Sequence, residues 1–457
     1  MTTAHSSAAS HAAARPAEPL TQRRYARILV PFVLSTATQP LLGAVDTAVM
    51  GHMSDPYYIA GVAVGAVIFN TIYWLLGFLR VGSTGFSAQA ATEGSVEHIY
   101  KALLVPGVMA LGLSLLLLLL QKPIFAGALL ILSLDSATLD VARTYYDILI
   151  WGAPLVLCNY VTLGWLMGSA RVRATVIMQV GSNVLNMMLA LLFVPVLEWG
   201  VTGVACATLI AQAAALITGL VCLKKALPRL PEDKNERLAL LKGALNWQDM
   251  VAMACVNGHL LLRTICMLAQ TNIFMATAST FGTTTLSANA VLVQVLLIFT
   301  YVFEGIANAS SVFAGQARGS RNTALMRQVL GITLRWTLIS GLVMAAIYAL
   351  WHTPILALFT DLDDVLARAS ELALWGVFFP LVSGPGLTVY GLFTGASVTR
   401  PVFVSTLQAL LAFLLVWALA VPALGNDGLW IAYLVFYTGR SLFLLPCVRT
   451  LMQATRG

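Results

Sequence analysis

Apolar residues fall in runs of about 20 along nearly the whole of this 457-residue chain, separated by short polar segments rich in Gly, Pro and charge. The runs place spans over 28–50, 58–83, 102–120, 144–168, 173–197, 201–223, 250–279, 287–315, 328–351, 371–397, 401–422 and 428–448. At ~1.5 Å per residue, each reaches across a hydrocarbon layer of ~30 Å. The stretch 121–143 is only half apolar around Phe125 to Leu134, and predicts an interfacial helix rather than a crossing. The pattern therefore predicts an all-α integral membrane protein with twelve transmembrane helices.

Composition agrees: 59% of residues are hydrophobic, 10% are charged and the mean hydropathy is +0.85. Few residues remain for a soluble domain. The formal charge of +7 does not imply a nucleic-acid partner, because the basic residues are spread through short loops instead of gathering on one surface. They report topology. With the N-terminus inside, inner segments hold 19 of the 26 Lys and Arg residues, whereas the outer loops hold three, Lys122, Arg143 and Arg368. Retention of basic residues on the cytoplasmic face then puts both termini in the cytoplasm of a bacterial-type inner membrane. Residues 1–27 lack the apolar core of a signal peptide and read as a disordered cytoplasmic tail. The six cysteines have no paired metal spacing and imply neither a disulfide framework nor a zinc site.

Self-comparison halves the chain. Ser83-Thr-Gly-Phe-Ser-Ala-Gln-Ala90 matches Ser310-Ser-Val-Phe-Ala-Gly-Gln-Ala317, and Gly164-Trp-Leu-Met-Gly168 with Arg173 matches Gly391-Leu-Phe-Thr-Gly395 with Arg400, all displaced by 227 residues. A six-helix unit is thus duplicated: 28–223 as the N-terminal lobe, 250–448 as the C-terminal lobe, 224–249 as a cytoplasmic linker and 449–457 as a second cytoplasmic tail. Six being even, the two lobes have parallel topology and face each other across a central cleft, the architecture of a secondary transporter. No phosphate loop of the Gly-x-x-x-x-Gly-Lys-Ser/Thr type supplies ATP chemistry, and no Gly-x-Ser-x-Gly motif or His/Glu metal cluster points to an enzyme.

Chemistry concentrates on polar residues inside the spans. Asp46 lies in an otherwise uncharged run, with Gln39 seven residues earlier on the same face and Pro40 as a hinge that removes a backbone donor. An acid at membrane depth costs several kcal/mol and is by default an ion or substrate site, the alternative being a helix-gluing ion pair. A carboxylate desolvated without a countercharge favours its neutral form, which suits Asp46 to proton exchange. Gln179, Asn183 and Asn186 share a face of the fifth helix; Asn159 lies on the fourth, and Thr208 and Gln212 on the sixth. Each taken singly reads more readily as an ordinary interhelical hydrogen bond of ~0.6 kcal/mol than as part of a site. In the second half Gln294, Tyr301, Glu304 and Asn308 line the eighth helix, and His259, Arg263 and Gln270 the seventh. Glu304 and Arg263 are expected to meet, either as a structural lock or as a coupling pair.

The chain resembles the multidrug and toxic compound extrusion (MATE) family, in the branch of the DNA-damage-inducible protein F (DinF) transporters. The likeness runs from about Arg24 to the end. It is most specific in Pro40-Leu-Leu-Gly-Ala-Val-Asp-Thr-Ala-Val-Met-Gly-His52, followed by Gly61-Val-Ala-Val-Gly65, Ser83 to Ala90 and Gly164 to Gly168. The resemblance implies two six-helix lobes around a V-shaped cleft, and export of cationic and amphipathic compounds in exchange for protons or sodium. It implies that Asp46 couples, with Asn159, Asn186 and Thr208 completing a polar site. Two positions depart from relatives: Ala190 stands where several have an aspartate, and Tyr390 where some have an acid. A pocket left with one carboxylate favours a proton over sodium. The expectation is a monomeric multidrug efflux antiporter that uses no cofactor, takes small organic substrates from the bilayer or cytoplasm and binds no nucleic acid. A flippase of a lipid-linked or phosphate-bearing amphiphile, held by Arg80, Arg263 and Arg440, is the alternative on the same fold.

Overall fold

The computed structural model describes residues 20–51, 56–129, 136–360 and 362–456, without the side chains of 37, 39–51, 56, 59 and 241. The first half carries α1 (Gln22–Gly51), α2 (Pro56–Leu76), α3 (Phe78–Glu93), α4 (Val96–Leu119), α5 (Gln121–Leu129), α6 (Ser136–Leu149), α7 (Ala153–Gly168), α8 (Val172–Phe193) and α9 (Gly200–Ala226). A short α10 (Lys234–Ala244) leads into α11 (Trp247–Ser279), α12 (Thr283–Gly319), α13 (Thr323–Ala357), α14 (Asp363–Glu371), α15 (Ala373–Gly395), α16 (Arg400–Leu424), α17 (Asn426–Leu444) and α18 (Val448–Arg456). There is no strand among the described residues. Eleven of the described segments are long and apolar enough to cross a membrane. The 30 residues of α1 add a helix of about 45 Å. This is a multi-pass, all-helical membrane protein.

Leucines four residues apart explain which faces meet lipid. Leu111, Leu115 and Leu119 on α4, and Leu407, Leu411, Leu415 and Leu419 on α16, form stripes open to the surroundings. In water such stripes would be aggregation surfaces; in hydrocarbon they cost nothing.

Several element boundaries differ from the sequence expectation for local reasons. The second span is two helices, because the chain breaks at Gly77, and α3 continues ten residues past 83, to Glu93. The stretch expected to be interfacial holds α5 and α6, and α6 feeds through a 3-10 turn at Ile150–Gly152 straight into α7. Within the expected linker, Asp233 caps α10 and Asn246 caps α11, each accepting a hydrogen bond from a backbone N–H two residues on. The first tail ends sooner than expected: α1 starts at Gln22, and its Tyr25 is fully buried. The second tail is the packed helix α18, whose Leu451 and Thr455 are buried.

The 227-residue displacement reappears as geometry. A methyl group added at Gly164 would collide with the Arg80 carbonyl oxygen, and one at Gly391 with that of Ala307, the residue 227 positions on. Gly168 meets the Thr84 carbonyl and Gly395 that of Ser311, again the same displacement. Each half therefore contains one Gly-x-x-x-Gly crossing, α7 on α3 and α15 on α12, made at backbone distance because no side chain intervenes.

α1 belongs to both halves by contact. Its Tyr25 hydroxyl stands 2.8 Å from Ser310 Oγ and 3.3 Å from Thr333 Oγ1, and Val33 packs on Gly305 of α12. One turn further, Thr36 Oγ1 donates to the Tyr301 carbonyl at 3.0 Å.

Candidate functional site

Polar side chains of the first half converge between α1, α7, α8 and α9. Ser35 Oγ donates to Gln179 Oε1 at 2.6 Å, and Asn183 Nδ2 donates to Thr38 Oγ1 at 3.0 Å, fastening α8 to α1 in parallel register. Towards α9, Asn186 Nδ2 reaches Thr208 Oγ1 at 3.4 Å, and Ser182 Oγ donates to the Ala211 carbonyl at 3.2 Å. Asn159 of α7 donates through Nδ2 to both the main-chain oxygen and Oε1 of Gln212, at 2.8 and 2.9 Å. The sequence reading set Gln179, Asn183 and Asn186 on one face. They do lie within one arc of about 60°, but their bonds reach two neighbours, Gln179 and Asn183 meeting α1 and Asn186 meeting α9. Asn159, Asn186 and Thr208 do gather around α9.

This network is incompletely paired. Asn159 Oδ1 and Asn186 Oδ1 are buried with no donor among the described residues, a state that native interiors rarely leave without a use. Both helices that carry them adjoin the bundle into which α1 is fastened. Gln39, Pro40 and Asp46 lie on α1, but their side chains are outside the described residues.

The second-half acid has a different partner from the one expected. Glu304 Oε1 is 2.5 Å from Arg80 Nη2, an ion pair between α12 and α3; it does not meet Arg263. The cause lies in helix placement. α3 and α12 run side by side, touching closely at Ala88 and Gly315, so Arg80 and Glu304 come to the same interface. Helix periodicity shows which residues share a face but not which neighbouring helix that face meets. Arg263 instead stacks its guanidinium 4.2 Å above the Tyr390 ring. Tyr301, one turn before Glu304, lies half-buried beside the same ion pair.

The two halves close on each other where α3, α12 and α15 end. Gln89 Nε2 donates to the Gly395 carbonyl at 2.9 Å and to Ser397 Oγ at 2.7 Å, while Thr92 Oγ1 reaches the Gln316 carbonyl at 3.4 Å. Gly85 lies against the Thr394 carbonyl, and Gly315 against the Ala88 methyl group. These are the repeated octapeptides facing each other. Gln89→Ala removes two bonds from this seam and is expected to weaken it by ~1–2 kcal/mol. Amide hydrogen exchange in 85–93 and 392–397 should then quicken about fivefold to thirtyfold, with the rest of the chain unchanged.

Sequence reasoning missed Arg80 as the partner of Glu304, Ser35 and Thr38 as anchors for α8, and Gln89 as the clasp. A charge count could have found the first: a lone arginine in the run Leu79-Arg80-Val81 needs an interior acid. Small hydroxyls and a single glutamine in helices carry no comparable signal.

A model of the MatE family matches this sequence twice, over residues 31–192 and 260–418. DNA damage-inducible protein F of Escherichia coli (strain K12) is 35% identical over 419 residues, spanning 91% of this chain and 90% of that protein. Multidrug resistance protein MdtK of Edwardsiella ictaluri (strain 93-146) is 22% identical, spanning 94% and 95%. A solved structure of MATE in complex with MaD5 superimposes with a TM-score of 0.85 over 95% of this chain and 97% of that one, at 18% identity, a likeness of fold alone.

Proposed function

Because the chain belongs to the MatE family, we propose that it is a secondary active exporter of amphipathic organic compounds, cations included, driven by proton antiport with Asp46 as the coupling carboxylate. The observation that carries this reading is the polar network that starts at α1, the helix that bears Asp46, and runs through α8 and α9 to α7, with two buried oxygens left without a donor among the described residues. Parallel register between α1 and α8 pairs 35 with 179 and 38 with 183. Carried two turns on, it brings position 46 level with Ala190, an apolar and fully buried neighbour. A site with a single carboxylate can take a proton but offers a bare sodium ion one anionic ligand, which favours the proton.

The switch follows from where α1 is tied. One end is pinned to α12 by Tyr25 and Val33, and its middle to α8 by Ser35 and Thr38. Neutralising Asp46 alters how the part of α1 beyond these anchors packs in the first half. A proton can thereby bias one arrangement of the halves over another, the differential interaction that antiport requires. With both termini cytoplasmic in this reading, the seam at Gln89 and Gly315 joins the halves at their cytoplasmic end. The chain works in this reading as a monomer in the cell inner membrane.

Proteoliposomes test it. Under an imposed pH gradient the wild-type chain is expected to move a fluorescent organic cation against its gradient, and Asp46→Asn to fall to the rate of protein-free vesicles while still eluting as a folded species. Transport that follows a sodium gradient and ignores the pH gradient, or that survives Asp46→Asn, sinks the proposal.

A further inference from the structure

The second half buries two arginines that no acid among the described residues neutralises. Arg440 of α17 is only 4% exposed, and Arg263 of α11 is half-buried. The four ion pairs among the described residues join Arg80 to Glu304, His98 to Glu93, Lys101 to Asp249 and Arg368 to Glu371, and so leave both unpaired. Arg440 Nη1 and Arg263 Nε are buried without any acceptor. These nitrogens can only donate, so no reorientation of the groups satisfies them. The two guanidinium groups are also near enough to repel each other.

Aromatic rings complete the setting. Arg263 lies 4.2 Å above Tyr390, and Arg440 lies 5.6 Å from the Tyr437 ring and 5.8 Å from that of Phe436. Tyr390 is within electrostatic reach of Arg440 and Arg80 as well, and of these three cations only Arg80 is paired with Glu304. Ring faces moderate buried positive charge without neutralising it. An isolated ionised group inside a protein is strongly unfavourable unless paired, and a pair of like charges more so. Guanidinium groups are built to hold carboxylate, sulfonate or phosphate through two parallel bonds.

We propose that Arg263 and Arg440, with Tyr390 and Tyr437 as an aromatic shelf, form a binding subsite for the anionic head of an amphipathic organic molecule. The oxyanion accepts from Arg440 Nη1 and Arg263 Nε, and the apolar body lies on the rings. Anions and zwitterions with an aromatic or aliphatic body thereby join the substrates of the exporter proposed above, on which this subsite rests for its role in transport but not for its binding.

The test measures equilibrium binding without any gradient, so failure of Asp46 coupling leaves it untouched. Full-length protein in phosphatidylcholine nanodiscs is titrated with dansylglycine, a fluorescent carboxylate, and with its uncharged methyl ester. The acid is expected to bind more tightly than the ester. Arg440→Gln and Arg263→Gln should each weaken the acid about tenfold or more, the scale of one charge-assisted contact, and leave the ester unchanged. Arg440→Lys, which keeps the charge and loses the fork, should recover part of the affinity and serves where the glutamine variant does not fold. Replacing half the lipid with phosphatidylglycerol identifies the source of the head: displacement of dansylglycine assigns the subsite to a lipid phosphate, and unchanged binding to a soluble amphiphile. Equal affinity for acid and ester, or acid binding indifferent to all three substitutions in folded protein, overturns the proposal.

Discussion

Gly391→Leu is expected to prevent the chain from accumulating as a folded, monodisperse species. Even a single added carbon would strike the Ala307 main-chain carbonyl, its carbon and its Cα. A backbone cannot rotate aside as a side chain can, so α15 and α12 would have to separate along their length. Overpacking a close-packed interior costs about 1–3 kcal/mol where side chains absorb it, and here the upper end or beyond applies. Size-exclusion in detergent and thermal unfolding read the effect. Gly331→Leu is the matched control: nothing lies within 4 Å of that position on α13, and the variant should behave as wild type. A Gly391→Leu protein with an unchanged melting temperature would contradict the crossing itself, and with it the placement of Tyr390 one residue away.

Arg80→Met is expected to destabilise the protein by about 3 kcal/mol, because it strands Glu304. The lower end of the range for breaking a buried pair applies, since the glutamate side chain keeps 32% of its surface and the arginine 18%. Desolvation makes the lone charge costlier than the absent pair. Replacing both partners, Arg80→Met with Glu304→Leu, should therefore recover most of the loss. Thermal unfolding of the two single variants and the double variant closes the cycle, and a positive coupling of 1 kcal/mol or more is the expected sign. Additive losses would place Arg80 and Glu304 too far apart to interact.

How much of this was legible in the residues depended on what kind of signal each feature leaves. Span count and helix identity followed from uninterrupted apolar length, which physics at the bilayer dictates directly. The duplication followed from two matches at one displacement, and the glycines that carried the second match are the residues that structure places against carbonyls 227 positions apart. Pairings were less legible. Periodicity put Glu304 on an interior face, yet choosing between Arg80 and Arg263 required knowing that α12 lies against α3. The amides of α8 were recognisable as one interior face, but not that this face meets α1 at Gln179 and Asn183 and α9 at Asn186. The helical tail at 448–456 was hidden for another reason: only every fourth side chain is buried there, too sparse a pattern to register as apolar.

At the seam, Ala88 touches Gly315, and these occupy the same place in the two copies of the octapeptide. A point that contacts its own counterpart lies on the axis relating two equivalent bodies. Before the halves were fused, a six-helix ancestor would have met a second copy of itself through that spot, in a self-complementary contact where any one change was felt twice. Fusion released the two positions from each other. One now carries a methyl group and the other none, a lopsided fit that no symmetric homodimer could have encoded.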